Sequence, residues 1–252
     1  MELNVFFILT FLTIAQCKLI TLSCIQIRAF VDGHNSRRLL LAQGKVPGQP
    51  AATEIKSVIW DEELHAKAAK WASQNYNYHN PDRSLASGRF SIGENLYWHS
   101  TTNSKYELDP DIALESWFSE NVNYTFGPLQ PSDFDISKNY AIGHYTQMVW
   151  SDSVYIGCAI SQAFKNGWNK YYVVCNYGPG GNYIREKPYR ASGGASGKLK
   201  CGVKDCSHPY GRKFYIPRTS WCAVGVMGAS ADRSEIIPTG GYATSCGGRP
   251  VL

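Results

Sequence analysis

The sequence predicts an α+β protein: a three-layer α-β-α sandwich with a short disulfide-stapled C-terminal extension. Three observations carry that expectation. Segments of helical period alternate irregularly with short segments rich in Val, Ile and Tyr. The loops between them are long, which argues against a regular parallel sheet. The chain is 252 residues long, and its 7 Trp, 16 Tyr and 10 Phe are enough for one sizeable core and too many to leave in water as a disordered chain.

Residues 25–44 read as a first helix, stopped by Gly44 and Pro47. Residues 45–53 form a Pro/Gly loop. Asp61 can cap a second helix over 62–74, where Leu64, Ala68, Trp71 and Ala72 share a face. A strand is expected over 90–99, around Gly-Glu-Asn-Leu-Tyr-Trp. Asp109 and Pro110 open a third helix that runs to about Val122, with Asp as cap and Pro in the first turn. A loop over 125–139 and a short helix over 144–150 follow. Residues 155–161 and 170–177 read as strands separated by an Asn-Gly turn region. Tyr189 closes this body, a domain over 25–190. The run Ala-Ser-Gly-Gly-Ala-Ser-Gly-Lys at 191–198 has the composition of a flexible linker. Residues 199–252 are a basic tail whose apolar content is too thin for a core of its own, so disulfides must hold it.

Charge is unevenly placed. From Lys187 onward 10 Lys and Arg stand against 3 Asp and Glu; residues 1–186 carry 15 against 17. A near-neutral body with a basic tail is not the footprint of a nucleic-acid binder, whose basic charge lines a groove of the core. The tail remains suited to an anionic surface. Residues 1–17 read as a signal peptide: the apolar run from Val5 to Ala15 is too short for a bilayer of about 30 Å, and Ala15 and Cys17 suit a cleavage site. No later run is apolar enough for a transmembrane helix, so the expected location is secreted and extracellular. The 8 Cys agree with export. They contain no Cys-x-x-Cys, and the pairing of Cys24, Cys201, Cys206, Cys222 and Cys246 stays open. Asn123-Tyr124-Thr125 is a glycosylation sequon, usable if Asn123 is exposed.

Six motifs stand in one order: His34-Asn35-x-x-Arg38, His79 within Tyr-Asn-Tyr-His-Asn, Gly93-Glu94-Asn95-Leu96, Trp117-x-x-Glu120, Gly143-His144-Tyr145-Thr146-Gln147-x-Val149-Trp150, and Cys175-Asn176-Tyr177-x-Pro179-x-Gly181-Asn182. Together they closely resemble the CAP superfamily of cysteine-rich secretory proteins, venom allergen 5 and pathogenesis-related proteins. The likeness spans about residues 27–190 and is nearest to the venom-allergen-like branch. It implies an α-β-α domain with a cavity lined by His79, Glu94, Glu120 and His144, and a disulfide between Cys158 and Cys175. Many relatives carry further cysteines near the first cavity histidine, but this chain has none between Cys24 and Cys158. Helix geometry independently nominates Glu120: at about 100° per residue it shares the face of Ala113, Trp117 and Tyr124, whereas Glu115 points to water.

Two imidazoles and two carboxylates can hold a divalent ion such as zinc. The carboxylates can equally orient the imidazoles, or the four can be a structural polar cluster. No Gly-x-Ser-x-Gly or similar motif announces a nucleophile, so no catalytic residue is assigned. The expected function is a non-enzymatic binder of lipid or sterol, divalent metal or an extracellular protein. The alternatives are a metal-dependent endopeptidase and an inert structural or allergen-like protein. His34 and Arg38 are expected to bond to the body of the fold, and His65, His99 and His208 to lie at the surface.

Overall fold

The structure, a computed structural model, describes residues 17–211. The elements run β1 Lys18–Ile20, α1 Cys24–Ala42, β2 Ile59–Trp60, α2 Glu62–Ala72, β3 Gly93–Thr101, α3 Pro110–Phe118, α4 Gly143–Met148, β4 Tyr155–Lys165 and β5 Trp168–Gly178. Single turns of 3-10 helix lie at Ser119–Asn123 and Pro131–Phe134. Each long helix starts where a side chain can satisfy its first N–H groups. Ser23 and Gln26 form a capping box on α1. Asp61 accepts from Glu63 N and Leu64 N on α2, and Asp109 accepts from Asp111 N ahead of Pro110 on α3.

The sheet has the order β1-β4-β5-β3, antiparallel throughout, with β2 pairing in parallel with the start of β4. Its two faces are both covered, which makes the expected three layers. On one side Ile156, Ile160, Val173 and Tyr177 pack with Phe30, Leu41, Leu114 and Trp117 from α1 and α3. On the other, Ala159, Tyr172 and Val174 meet Ala68 and Ala72 of α2. This is the period-2 alternation of a strand buried on both faces.

Three differences from the sequence reading have simple causes. β1 and β2 are three and two residues long, too short to leave a periodic signal. β4 and β5 are longer than expected because ladder pairing runs on through polar positions to Lys165↔Trp168. The third α-helix ends at Phe118, and the chain tightens to 3-10 geometry before Asn123.

α2 lies directly against the sheet at Gly157. A Cβ there would lie 2.1 Å from His65 N and 2.5 Å from the Leu64 carbonyl carbon. These are backbone atoms, which cannot swing aside as a side chain can. Gly157→Ala therefore forces α2 off the sheet, and an overpacking loss of about 2–3 kcal/mol or more is expected. Chemical denaturation midpoints of wild type and variant measure it.

Cys158 and Cys175 face each other directly across β4 and β5 and are bonded. In the extension, Cys201 pairs with Cys206. Cys222, Cys246, most of the signal segment and the tail beyond 211 lie outside the described residues. Composition marks 191–198 as a flexible linker, but the structure ties it down. Ser196 N donates to Ala52 O and Gly197 N to Ala42 O, because the stretch runs back along the loop after α1. The strap continues: Ser57 N donates to Lys200 O, and Trp60 N to Pro209 O. It ends at the buried Tyr210, whose hydroxyl donates to Asp32.

Candidate functional site

The chemistry-bearing residues gather around edge strand β3. Glu94 is on that strand, and its side chain is wholly buried. Its Oε1 accepts from His79 Nδ1 at 2.8 Å and from Asn80 N at 2.9 Å, and Arg83 Nη1 lies 3.9 Å away. Its Oε2 is buried with no hydrogen-bond partner among the described residues. His79 itself is half exposed, in a loop that no disulfide holds. That loop is held instead by aromatic packing: Tyr76 and Tyr78 stack at 4.9 Å, both rings meet Trp71, and Trp71 Nε1 donates to Tyr78 O.

The second pair is joined to β3 one residue along from Glu94, where Asn95 Nδ2 donates to His144 O. Glu120 lies in the 3-10 turn after α3. Its Oε1 accepts from His144 Nδ1 at 2.6 Å, and its Oε2 accepts from the backbone N–H groups of His144 and Tyr145. One carboxylate thus satisfies the first turn of α4 and orients a ring on it. Trp117 lies nearly parallel to the His144 ring at 6.1 Å and donates through Nε1 to Leu96 O on β3.

Both histidines are therefore held in one sense. Each uses Nδ1 as the donor to a carboxylate, which leaves Nε2 as the atom with a lone pair. Neither Nε2 has a hydrogen bond among the described residues. The structure brings the four expected residues together two by two. Among the described residues it does not converge three or more His, Cys, Asp or Glu on one point where a metal ion would sit. The donor set does not fit a four-ligand cage.

Glu115 is on the outer face as expected, paired with Arg37 Nη2 at 2.8 Å. His34 and Arg38 do bond to the body. His34 Nδ1 donates to Phe30 O and its Nε2 accepts from Tyr177 Oη. Arg38 donates to Lys56 O, Met148 O, Trp150 O and Ser153 O. Asn123 is exposed. His208 is at the surface and His99 lies over Tyr106. His65 departs from expectation. Its Nδ1 makes a 2.6 Å hydrogen bond with Cys158 O, because the absent side chain of Gly157 lets α2 lie directly on β4.

Sequence reasoning missed Asn95 and Tyr177 as parts of the site. Asn95 Nδ2 donates to Tyr177 Oη and to His144 O, joining β3, β5 and α4. The available signal was strand alternation: with Glu94 on one face of β3, Asn95 must point to the other.

A three-layer α-β-α body with two histidine–carboxylate pairs around one edge strand defines a CAP-type domain. The comparisons agree. The family described as "CAP: Cysteine-rich secretory protein family" matches residues 31–177, and the chain belongs to that family. Venom allergen 5 of Rhynchium brunneum is 39% identical over 168 residues, covering 64% of this chain and 71% of that protein. Among solved structures, NaASP2 with Zn2+ aligns with a TM-score of 0.57 and 28% identity, over 69% of this chain and 95% of that one. Schistosoma mansoni venom allergen-like protein 4 aligns with a TM-score of 0.52 and 30% identity, over 66% and 94%. The chain is similar to these proteins in sequence and fold.

Proposed function

We propose that this chain is an exported, non-enzymatic binding protein whose His79 and His144 present their Nε2 atoms to a divalent cation, zinc first. The observation that carries this reading is the identical locking of both rings: Nδ1 on a carboxylate, Nε2 unbonded. Carboxylate–histidine pairs of this kind fix the tautomer and raise the basicity of a ligating imidazole. A partly hydrated zinc held by two imidazoles would keep open positions for a partner's side chain, which is the chemistry a bound ion would supply here. A solved relative described with Zn2+ supports the choice of metal. Export rests on the apolar N-terminus, the two disulfides and the venom-allergen relatives.

Zinc titration by calorimetry tests the reading. Wild type is expected to give a saturable heat, and His79→Ala and His144→Ala to lose most of it. Equal heats in all three, or none in wild type, would remove it. A proteolytic role lacks support: no Ser, Thr or Cys bonds to either ring among the described residues, and a nucleophile needs that contact.

A groove along α3 favours a second, small-ligand reading. It lies open to solvent, has a volume of about 500 Å³ and is lined by Tyr97, Ile112, Ser116 and the acidic Asp109, Asp111 and Glu115. That volume suits a ligand of sterol size. Retention of radiolabelled cholesterol, lost on Ile112→Asp, is the expected result.

A further inference from the structure

We propose that the turn end of the β4–β5 hairpin docks on an anionic phospholipid bilayer, with Phe164 and Trp168 entering the headgroup boundary and Lys165 and Lys170 lying among the phosphates. The hairpin turns through Asn166 and Gly167, with φ of 55° and 80°, the tight two-residue turn that Asn-Gly favours. β1 reaches only to Gln162, and β3 only to Asn169, so the Lys165–Trp168 rung and the turn project past both neighbouring strands.

What projects is not the polar tip that keeps a hairpin in water. Phe164 is 63% exposed and Trp168 is 45% exposed, on opposite faces of the hairpin. On the Trp168 face the register stacks three rungs. Trp98, itself 44% exposed, lies over Tyr172; Ser100 stands beside Lys170; Lys165 stands beside Trp168. The rungs span about 13 Å along the strand. α2 covers this face only as far as Ser161, whose hydroxyl donates to Ala72 O in the last turn of the helix. Beyond it the sheet carries two tryptophans and two lysines and no covering helix among the described residues.

The charge around the tip has one dominant sign. Lys18 is on β1 opposite Gln162, and Lys105 is in the loop whose Asn103 O accepts from Asn169 Nδ2. Both are exposed, as are Lys165 and Lys170. Among the described residues the ion-paired lysines are Lys56, Lys67 and Lys200, so these four are unneutralised. Glu107 and Asp109 are the acidic residues in the same loop as Lys105, Asp109 at its far end as the cap of α3. Tryptophan prefers the headgroup level, and lysines beside it gain from an anionic leaflet. Water-exposed aromatics that shed water on insertion, ringed by free ammonium groups, match that surface on both counts. The surface includes none of the His79–His144 site, and the proposal rests neither on that site nor on the tail.

The test is co-sedimentation of the chain recovered from culture medium with sterol-free vesicles. Phosphatidylcholine vesicles containing roughly a third phosphatidylserine are expected to retain it at least tenfold better than pure phosphatidylcholine, an effect on the order of fivefold per lysine. Phe164→Ser/Trp168→Ser and Lys165→Glu/Lys170→Glu, made separately, should each lose tenfold or more. Brominated acyl chains should quench wild-type tryptophan fluorescence, and Trp168→Phe should remove most of that quenching. If the aromatic variant fails to fold, as judged by its thermal melt, the charge variant at exposed positions decides. Retention by both variants equal to wild type would overturn the proposal and assign binding to the tail. No retention of wild type on either vesicle would also overturn it, as would retention on heparin alone.

Discussion

Arg38→Met is expected to destabilise the protein by about 3–5 kcal/mol. Arg38 is fully buried at the centre of the fold. Its guanidinium faces no carboxylate at hydrogen-bonding distance. Instead it donates to four backbone carbonyls, from Lys56, Met148, Trp150 and Ser153, at 2.7–2.9 Å. Burial pulls its pKa down to about 10, so the group stays charged near neutral pH. Methionine fills much of the volume but offers no donors. Four carbonyl oxygens that end α4 and shape the loops after α1 and before β4 then lose their partner in a dry interior. Urea unfolding reads the result as a lower midpoint at an unchanged slope. Arg38→Lys should recover only part of the loss, since one ammonium cannot reach all four oxygens. A destabilisation under about 1 kcal/mol for Arg38→Met would show that water takes over those carbonyls.

Acid should unfold the protein from a pH near 6.5 downward, and His34 should account for about 2–3 kcal/mol of the loss by pH 4.5. The ring is fully buried, and desolvation is the main reason its pKa falls from 6.5 to about 3; the nearby Arg38 and Arg37 charges lower it further, while its hydrogen bond to Phe30 O opposes. Its two nitrogens are both committed in the neutral form, with Nδ1–H donating to Phe30 O and Nε2 accepting from Tyr177. The unfolded chain takes up a proton below 6.5 that the folded chain refuses until about pH 3. The contribution is therefore complete above 6.5 and drains away as pH falls through that window. Denaturant midpoints of wild type and His34→Gln across pH 7 to 4 measure it. The wild-type curve should fall more steeply, by about one proton; parallel curves would show that another group carries the acid sensitivity. Tyr177 passes the contact on to Asn95 and the His144 carbonyl, so the same network links His34 to the His144–Glu120 pair.

Much of this was legible in the sequence because it is local. Ser, Asp and Pro at helix starts, the Asn-Gly turn, and the alternation along β4 and β5 are set by backbone sterics and nearest neighbours. Glu120 was legible for a different reason: three residues after Trp117, it must share that helix's inward face, and the switch to 3-10 geometry at Ser119 does not rotate it away. The Cys158–Cys175 bond came from resemblance, not from spacing.

Only the tertiary structure decided how the four site residues are grouped. A motif states that His79, Glu94, Glu120 and His144 occur in order; it does not state that the rings are claimed in pairs by separate carboxylates. That depends on which strand edge, helix end and loop meet, at sub-ångström precision set by packing. The same holds for His65, drawn inward by a glycine about ninety residues away, and for 191–198, where composition suggests freedom and long-range hydrogen bonds tie the chain down. Local chemistry fixes what each segment prefers; which polar atoms find each other across the core is settled only when the layers close, since every buried donor and acceptor must then be matched at once.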